Sequence, residues 1–137
     1  MTPRGFDDGR GYCSAQVARV RKLDTLDAWR CAQDTARSAY LLTMQLPLSK
    51  HFALSDQIRR AAISVPANIA EGYALGTTPQ FVRCLRIVLG SATELHSHLT
   101  LLRALKLAPE EDVAECLHLS DRVIAMVIGL LRKLTRR

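Results

Sequence analysis

Apolar residues recur every three or four positions in four successive segments after about residue 23, which is the spacing of amphipathic helices. No segment alternates apolar and polar residues as a half-buried strand would. Because the connections between the segments are short, the pattern predicts an all-α, up-down-up-down four-helix bundle. The predicted helices are residues 24–45 with Asp24 as N-cap, residues 55–72 with Gly72 as the stop, a third helix opened by Thr78 and Pro79, and a fourth opened by Pro109 with three acids in its first turn.

The second helix carries its polar residues on one narrow stripe. At about 100° per residue, five polar side chains fall within an arc of roughly 80°. We interpret them as a buried or interfacial hydrogen-bond network that fixes helix register, with a phosphate-binding role for Arg60 as the alternative. Pro66 removes one backbone hydrogen bond and predicts a kink near residues 62–65. The predicted network comprises Gln57, Arg60, Ser64, Asn68 and Glu71.

Two segments lack the polar face that a helix of an isolated bundle presents to water. The outer side of the second helix is small and apolar, and residues 123–131 are apolar around the whole helix circumference. Both observations predict a second packing partner, and another copy of the chain is the expected one. The candidate interface residues are Ile63, Ala67, Ala70, Ala125 and Gly129.

The net charge of +6 is concentrated at the two ends of the sequence. Residues 1–22 carry five basic and two acidic side chains, and the last six residues carry four basic ones, whereas the body between them is nearly neutral. Sparse apolar residues and three glycines predict that residues 1–22 form a flexible basic arm beside one domain, residues 23–137. The C-terminal basic cluster has a simpler interpretation as well, since it complements a helix macrodipole.

Most of the basic residues are arginine, whose planar side chain is suited to contacts with phosphate or carboxylate groups. Arg59 is expected to point to the outer side of the second helix, where it is freer to contact a ligand or a neighbouring subunit. Arg83 and Arg86 lie opposite the apolar face of the third helix, where they either form an ordinary solvated face or, if the bundle closes into a ring, line a shared channel. Trp29, Tyr40 and Phe81 are expected on core faces, so any nucleic-acid contact should be electrostatic rather than by base stacking. The candidate nucleic-acid-binding residues are Arg59, Arg83, Arg86, Arg132, Lys133, Arg136 and Arg137.

Catalytic chemistry is poorly supported by the sequence. None of the four histidines lies in a recognised nucleophile or metal pattern, and Glu94 with His98 is best explained as a surface helix pair. The four cysteines show no paired spacing and are interpreted as small hydrophobic residues in a reducing compartment. We therefore expect no enzymatic activity, no metal and no cofactor. Without a signal peptide or a membrane-length apolar run, a cytoplasmic location is expected.

The central segment resembles a bacterial four-helix-bundle family encoded within intervening sequences of 23S ribosomal RNA genes. That family includes the accessory variability determinant proteins of diversity-generating retroelements. Trp29 and Tyr40 also fit, although Lys50 and Ala53 depart from the family's usual connection, where an acid and a glycine are common. The resemblance rests on QIRRAA at 57–62, SVPANIAEG at 64–72, GS at 90–91 and EL at 94–95.

The resemblance implies a five-fold ring with a basic surface and, in retroelement members, binding of nucleic acid and of the partner reverse transcriptase. Together with the charge pattern, it favours a non-enzymatic accessory protein that forms a homopentamer and binds the RNA or DNA backbone. The alternative is a protein-interaction scaffold that docks a reverse transcriptase or a ribosomal component without touching nucleic acid. No membrane partner is expected.

Overall fold

The computed structural model describes residues 15, 17–19 and 22–136, with the side chain of Asp24 left out. The all-α prediction is confirmed: the chain folds into four main helices with two 3-10 turns, Leu23–Thr25 and Leu48–Lys50, before the first and second. The helices are α1 (Asp27–Thr43), α2 (Phe52–Leu75), α3 (Thr78–Leu105) and α4 (Glu110–Leu134).

The helices run alternately up and down, and each packs against the next along the chain. α1 also packs against α4, which closes the bundle and leaves α2 and α4 diagonally opposite each other. We call the end where α1 and α3 begin the proximal end, and the end where α2 and α4 begin the distal end. Clusters of buried apolar side chains fill both halves, with Ile69, Leu85 and Val127 in the proximal one and Ile58, Leu99 and Val113 in the distal one.

Two buried hydroxyl groups, those of Thr35 and Ser120, lie near the middle of the bundle, and both are hydrogen-bonded. Thr35 Oγ1 donates to the carbonyl of Cys31 at 2.7 Å, within α1. Ser120 Oγ of α4 donates to the carbonyl of Ala92 of α3 at 3.2 Å. Because an unsatisfied buried polar group costs about 1–3 kcal/mol, these contacts let the core include hydroxyls without that penalty.

The starts of α1 and α2 differ from the sequence prediction. Asp24 is not the N-cap of α1, because it lies in the 3-10 turn and the extended backbone of Leu26 separates that turn from the helix. α2 begins at Phe52, three residues before the predicted Ser55. The Ser55 hydroxyl is buried and donates to the carbonyl of Leu48 at 2.8 Å, so it fastens the α1–α2 connection to the helix.

Gly72 does not end α2, which continues to Leu75. The stop is Gly76, whose φ of +85° lies in the left-handed region that favours glycine. Gly72 is buried where α2 crosses α3: a Cβ atom there would lie 2.6 Å from the Cβ of Cys84 and 3.0 Å from Cδ2 of Phe81. The glycine is therefore a close-approach residue, and its absent side chain sets the distance between the two helices.

The predicted starts of α3 and α4 agree with the structure to within one residue. Thr77, one residue earlier than predicted, is the N-cap of α3, and its Oγ1 accepts a hydrogen bond from the Gln80 amide at 3.4 Å. Pro109 precedes α4, with three acids in the first turn as predicted. Pro66 lies inside α2, which continues on both sides of it, and the predicted kink stays a prediction.

The predicted flexible arm, residues 1–22, lies mostly outside the described residues. Within it, residues 17–19 are helical, and Arg19 lines a small cavity together with Tyr73 and Gly76 at the proximal end. In the described part of the chain, no helix combines the length and apolar character that crossing a bilayer requires.

Replacing Gly72 with alanine tests the close approach. Alanine favours helix by about 1 kcal/mol over glycine, but at this position its methyl group would overlap Cys84. We expect Gly72→Ala to lower the free energy of unfolding by about 1–3 kcal/mol, as overpacking does. Urea denaturation followed by circular dichroism measures the change.

Gly90→Ala is the matched control. Gly90 lies inside α3, and a Cβ atom there would meet nothing within 4 Å. This variant should gain about 0.5–1 kcal/mol. Equal effects of the two substitutions would show that helix propensity alone, rather than the α2–α3 contact, governs Gly72.

Candidate nucleic-acid interface

Most of the basic candidates lie at the proximal end. Arg83 and Arg86 lie in the second and third turns of α3, and Arg132 and Lys133 lie in the last turn of the neighbouring α4. Since the two helices are antiparallel, the start of one lies beside the end of the other. Arg136 follows just beyond α4, and Arg137 lies outside the described residues.

These side chains point away from the core because of helix periodicity. Cys84, Leu85 and Val88 are buried on the inner face of α3, which leaves Arg83 and Arg86 exposed on the opposite face. Arg132 and Lys133 are likewise exposed, and neither these two nor the α3 arginines form an ion pair with another described residue. Exposed, unpaired guanidinium and ammonium groups can neutralise phosphate charges.

Arg59 is separated from this group at the distal end and is not a free side chain, because it has partners within the chain. Its candidate contact with a ligand stays a prediction. Its Nε donates to Thr43 Oγ1 at 2.7 Å, and its guanidinium lies 4.7 Å from the centroid of the Tyr40 ring. Thr43 Oγ1 in turn donates to the carbonyl of Tyr40 at 2.6 Å. Arg59 therefore joins the start of α2 to the end of α1, and its role is at least partly structural.

Tyr40 and the other two aromatic side chains expected in the core are not fully buried. Tyr40 is 40% exposed, and its ring holds the Arg59 guanidinium. Trp29 and Phe81 are half-buried. In the structure Tyr40 lies at the edge of the buried face of α1, and at such an edge a tyrosine keeps its hydroxyl in water while its ring packs against a neighbour.

Only part of the predicted polar network comes together within one chain. Asn68 Nδ2 donates to the carbonyl and hydroxyl of Ser64 at 2.8 and 2.9 Å. The Ser64 hydroxyl also bonds to that of Ser91 on α3 at 2.9 Å, a partner that the wheel of a single helix could not identify. Arg60 is exposed within the single chain, with a 3.8 Å contact to Asp56, and Gln57 and Glu71 are exposed too, so an interfacial role for these three stays a prediction. The network is thus a half-buried link between α2 and α3.

The candidate interface residues fall on two separate faces. Ile63, Ala67 and Ala70 line a mainly apolar groove of about 340 Å³ between α1 and α2, completed by Trp29 and Pro66 among others. Ile63 is 50% exposed. Ala125 and Gly129 are exposed on α4, the helix diagonally opposite α2. The two faces therefore point in opposite directions.

The described cysteines are packing residues. Cys31, Cys84 and Cys116 are buried and form no disulfide, and burial raises the pKa of each thiol, which favours the neutral, unreactive form. Cys13 lies outside the described residues. Glu94 and His98 form the expected surface pair at 3.2 Å. Within residues 22–136 no three His, Cys, Asp or Glu side chains are arranged to hold a metal ion.

A family model for the 23S rRNA-intervening sequence protein matches residues 24–129. The chain belongs to this family. The matched residues run from the turn before α1 through most of α4, and they include Arg83 and Arg86. The C-terminal basic residues of this family member lie beyond the match. No curated protein matches the chain.

Replacing Arg59 tests whether it holds α1 and α2 together. We expect Arg59→Ala to lower the free energy of unfolding by about 1–2 kcal/mol, since it removes one hydrogen bond and one cation–π contact. Arg59→Lys should recover little of this, because an ammonium group lacks both the Nε donor and the planar face. Denaturant titration provides the measurement.

The control for this experiment is Arg83→Ala, which removes an equal charge from an exposed site without a described partner. It should change stability by less than about 0.5 kcal/mol. A similar small effect at Arg59 would contradict the structural role.

Proposed function

We propose that this family member is a non-enzymatic accessory protein that binds the RNA or DNA backbone electrostatically through its proximal end. The observation that carries the proposal is the convergence of exposed basic side chains from the start of α3 and the end of α4, which are far apart in sequence. Such a surface contacts phosphates rather than base edges, so its sequence preference should be weak.

We also propose that the protein forms a closed ring, with five copies as the expected number from the family resemblance. In support, the α1–α2 groove and the Ala125–Gly129 face lie on opposite sides of the bundle. An interface between two different faces is heterologous, and it closes into a ring when the rotation per copy allows. Repetition around the ring would multiply the basic surface of one copy.

The second candidate function is a scaffold that docks a reverse transcriptase or a ribosomal component. It is favoured by the exposed apolar side chains at the distal end, where Leu41, Met44, Leu46 and Phe52 are between 48% and 78% exposed. Recovery of a purified partner after nuclease treatment would support this candidate over direct nucleic-acid binding.

Removing the proximal charges should weaken nucleic-acid binding. We expect the Arg83→Ala/Arg86→Ala double variant to bind a labelled single-stranded RNA at least about 10-fold more weakly than the unaltered protein at 50 mM salt. The slope of log affinity against log salt should also become shallower, because fewer phosphates are neutralised. Fluorescence anisotropy across a salt series measures both.

Lys50→Ala/Arg60→Ala is the control, because it removes two exposed basic side chains outside the proximal cluster. Its affinity for the RNA should stay within about 2-fold of that of the unaltered protein, because the proposed contact uses the proximal charges. An equal loss in both double variants, or binding that salt does not weaken, would exclude the proposed surface.

A charge in the α1–α2 groove should break the ring. We expect Ile63→Glu to convert the oligomer to monomers while circular dichroism stays helical, because a carboxylate cannot be buried unpaired. Ile87→Glu is the matched control, since Ile87 is 41% exposed on α3, outside both faces. Light scattering gives the masses, and a monomeric unaltered protein would contradict the ring.

Mixing two broken variants distinguishes a heterologous interface from a two-fold one. Ile63→Glu leaves the α4 face intact, and Ala125→Glu leaves the groove intact. Each should be monomeric alone, and together they should form a heterodimer through the one undamaged groove–face pair. If the mixture stays monomeric, the two faces do not bind each other.

A further inference from the structure

A second surface with the opposite charge lies at the distal end. Where the C-terminal half of α1 meets the start of α4, a groove of about 410 Å³ is lined by three acids, Asp34, Asp112 and Glu115, and one base, Arg37. Neither Asp34, Asp112 nor Glu115 forms an ion pair with another described residue. On a chain of net charge +6, this groove is therefore locally negative.

The same groove has an apolar part, formed by three leucines. Leu42 is buried, Leu119 is half-buried and Leu41 is 48% exposed. Met44, three residues after Leu41 at the end of α1, is 60% exposed, and Leu46 in the connection that follows is 67% exposed. Single exposed apolar residues are ordinary, but a cluster beside a charged groove is typical of an interaction site.

We propose that this groove docks a basic amphipathic helix of a partner protein. The helix would lay apolar residues spaced at i, i+3 or i+4 and i+7 on the leucines, as helices do in grooves between helices. Its flanking lysines or arginines would face Asp34, Asp112 and Glu115. Met44, exposed three residues after Leu41, would suit such a contact, because its flexible thioether adapts to different partner shapes.

The basic end of the same chain cannot occupy the groove. Asp112 and Arg132 lie twenty residues apart on one continuous helix, which separates them by about 30 Å. Nucleic acid is disfavoured by the three carboxylates, and this separates the groove from the proximal surface in chemistry as well as in position. The docking proposal does not depend on nucleic-acid binding, because it uses the opposite end of the bundle.

The probe for the test is a labelled 18-residue peptide of leucine and lysine with all leucines on one helical face. Its control is a peptide of the same composition with the leucines scattered around the helix. The full chain should bind the amphipathic peptide at least about 10-fold more tightly, because only that peptide matches both the leucines and the carboxylates. Fluorescence anisotropy measures both affinities.

Variants of the chain locate the site. Asp34→Lys/Glu115→Lys should weaken amphipathic-peptide binding by at least about 10-fold, and Leu41→Ser by about 5-fold. The charge control is Glu94→Lys/Asp121→Lys, which makes the same change at two exposed acids outside the groove and should stay within about 2-fold. Arg83→Ala/Arg86→Ala should leave peptide binding intact even if it abolishes RNA binding.

Three results would overturn the proposal. The first is equal binding of the scattered peptide, and the second is an equal loss in the control double variant, since either would mean that net charge alone attracts the probe. The third is a change in solution mass when Asp34 and Glu115 are reversed, because the groove would then be filled by another copy of this chain.

Discussion

The bundle depends on the close approach of α2 and α3. Gly72 lies against Cys84 with no room for a methyl group, and further along the same pair of helices Ser64 bonds to Ser91. The small residues Gly72 and Cys84 set the distance between the two helices. The hydroxyl pair of Ser64 and Ser91 fixes their register. Because α3 then presents its inner face to α4, this contact also determines which side chains of α3 point outward.

That constraint explains the location of the basic surface. Because Cys84 faces α2 and Leu85 faces the core, Arg83 and Arg86 lie on the outward face of α3. The antiparallel return of α4 brings Arg132 and Lys133 to the same end, where they also complement the C-terminal pole of the helix dipole. Arg132 and Lys133 thus complement the dipole of α4 and also contribute to the positive surface.

The two ends of the bundle consequently differ in chemistry. The proximal end carries exposed basic side chains, whereas the distal end combines a negative groove with exposed leucine, methionine and phenylalanine side chains. Arg59, the one basic candidate at the distal end, is held by Tyr40 and Thr43. Because the two ends differ, the proposed nucleic-acid contact and the proposed docking contact use different surfaces. One protein can therefore have both functions.

Apolar periodicity, proline positions and acids at helix starts were sufficient to predict four helices, their order and their bundle packing, because those signals act over a few neighbouring residues. The family motif, which the match over residues 24–129 confirms, was also readable from local sequence.

The sequence did not distinguish a helix stop from a close-approach glycine: Gly72 and Gly76 look alike until α3 is placed beside α2. Only the tertiary structure gave Arg59 its partners on α1, reduced the polar stripe to Ser64, Asn68 and Ser91, and formed the negative groove. Each of these depends on side chains from different helices, whose relative rotation is set by packing rather than by any local pattern.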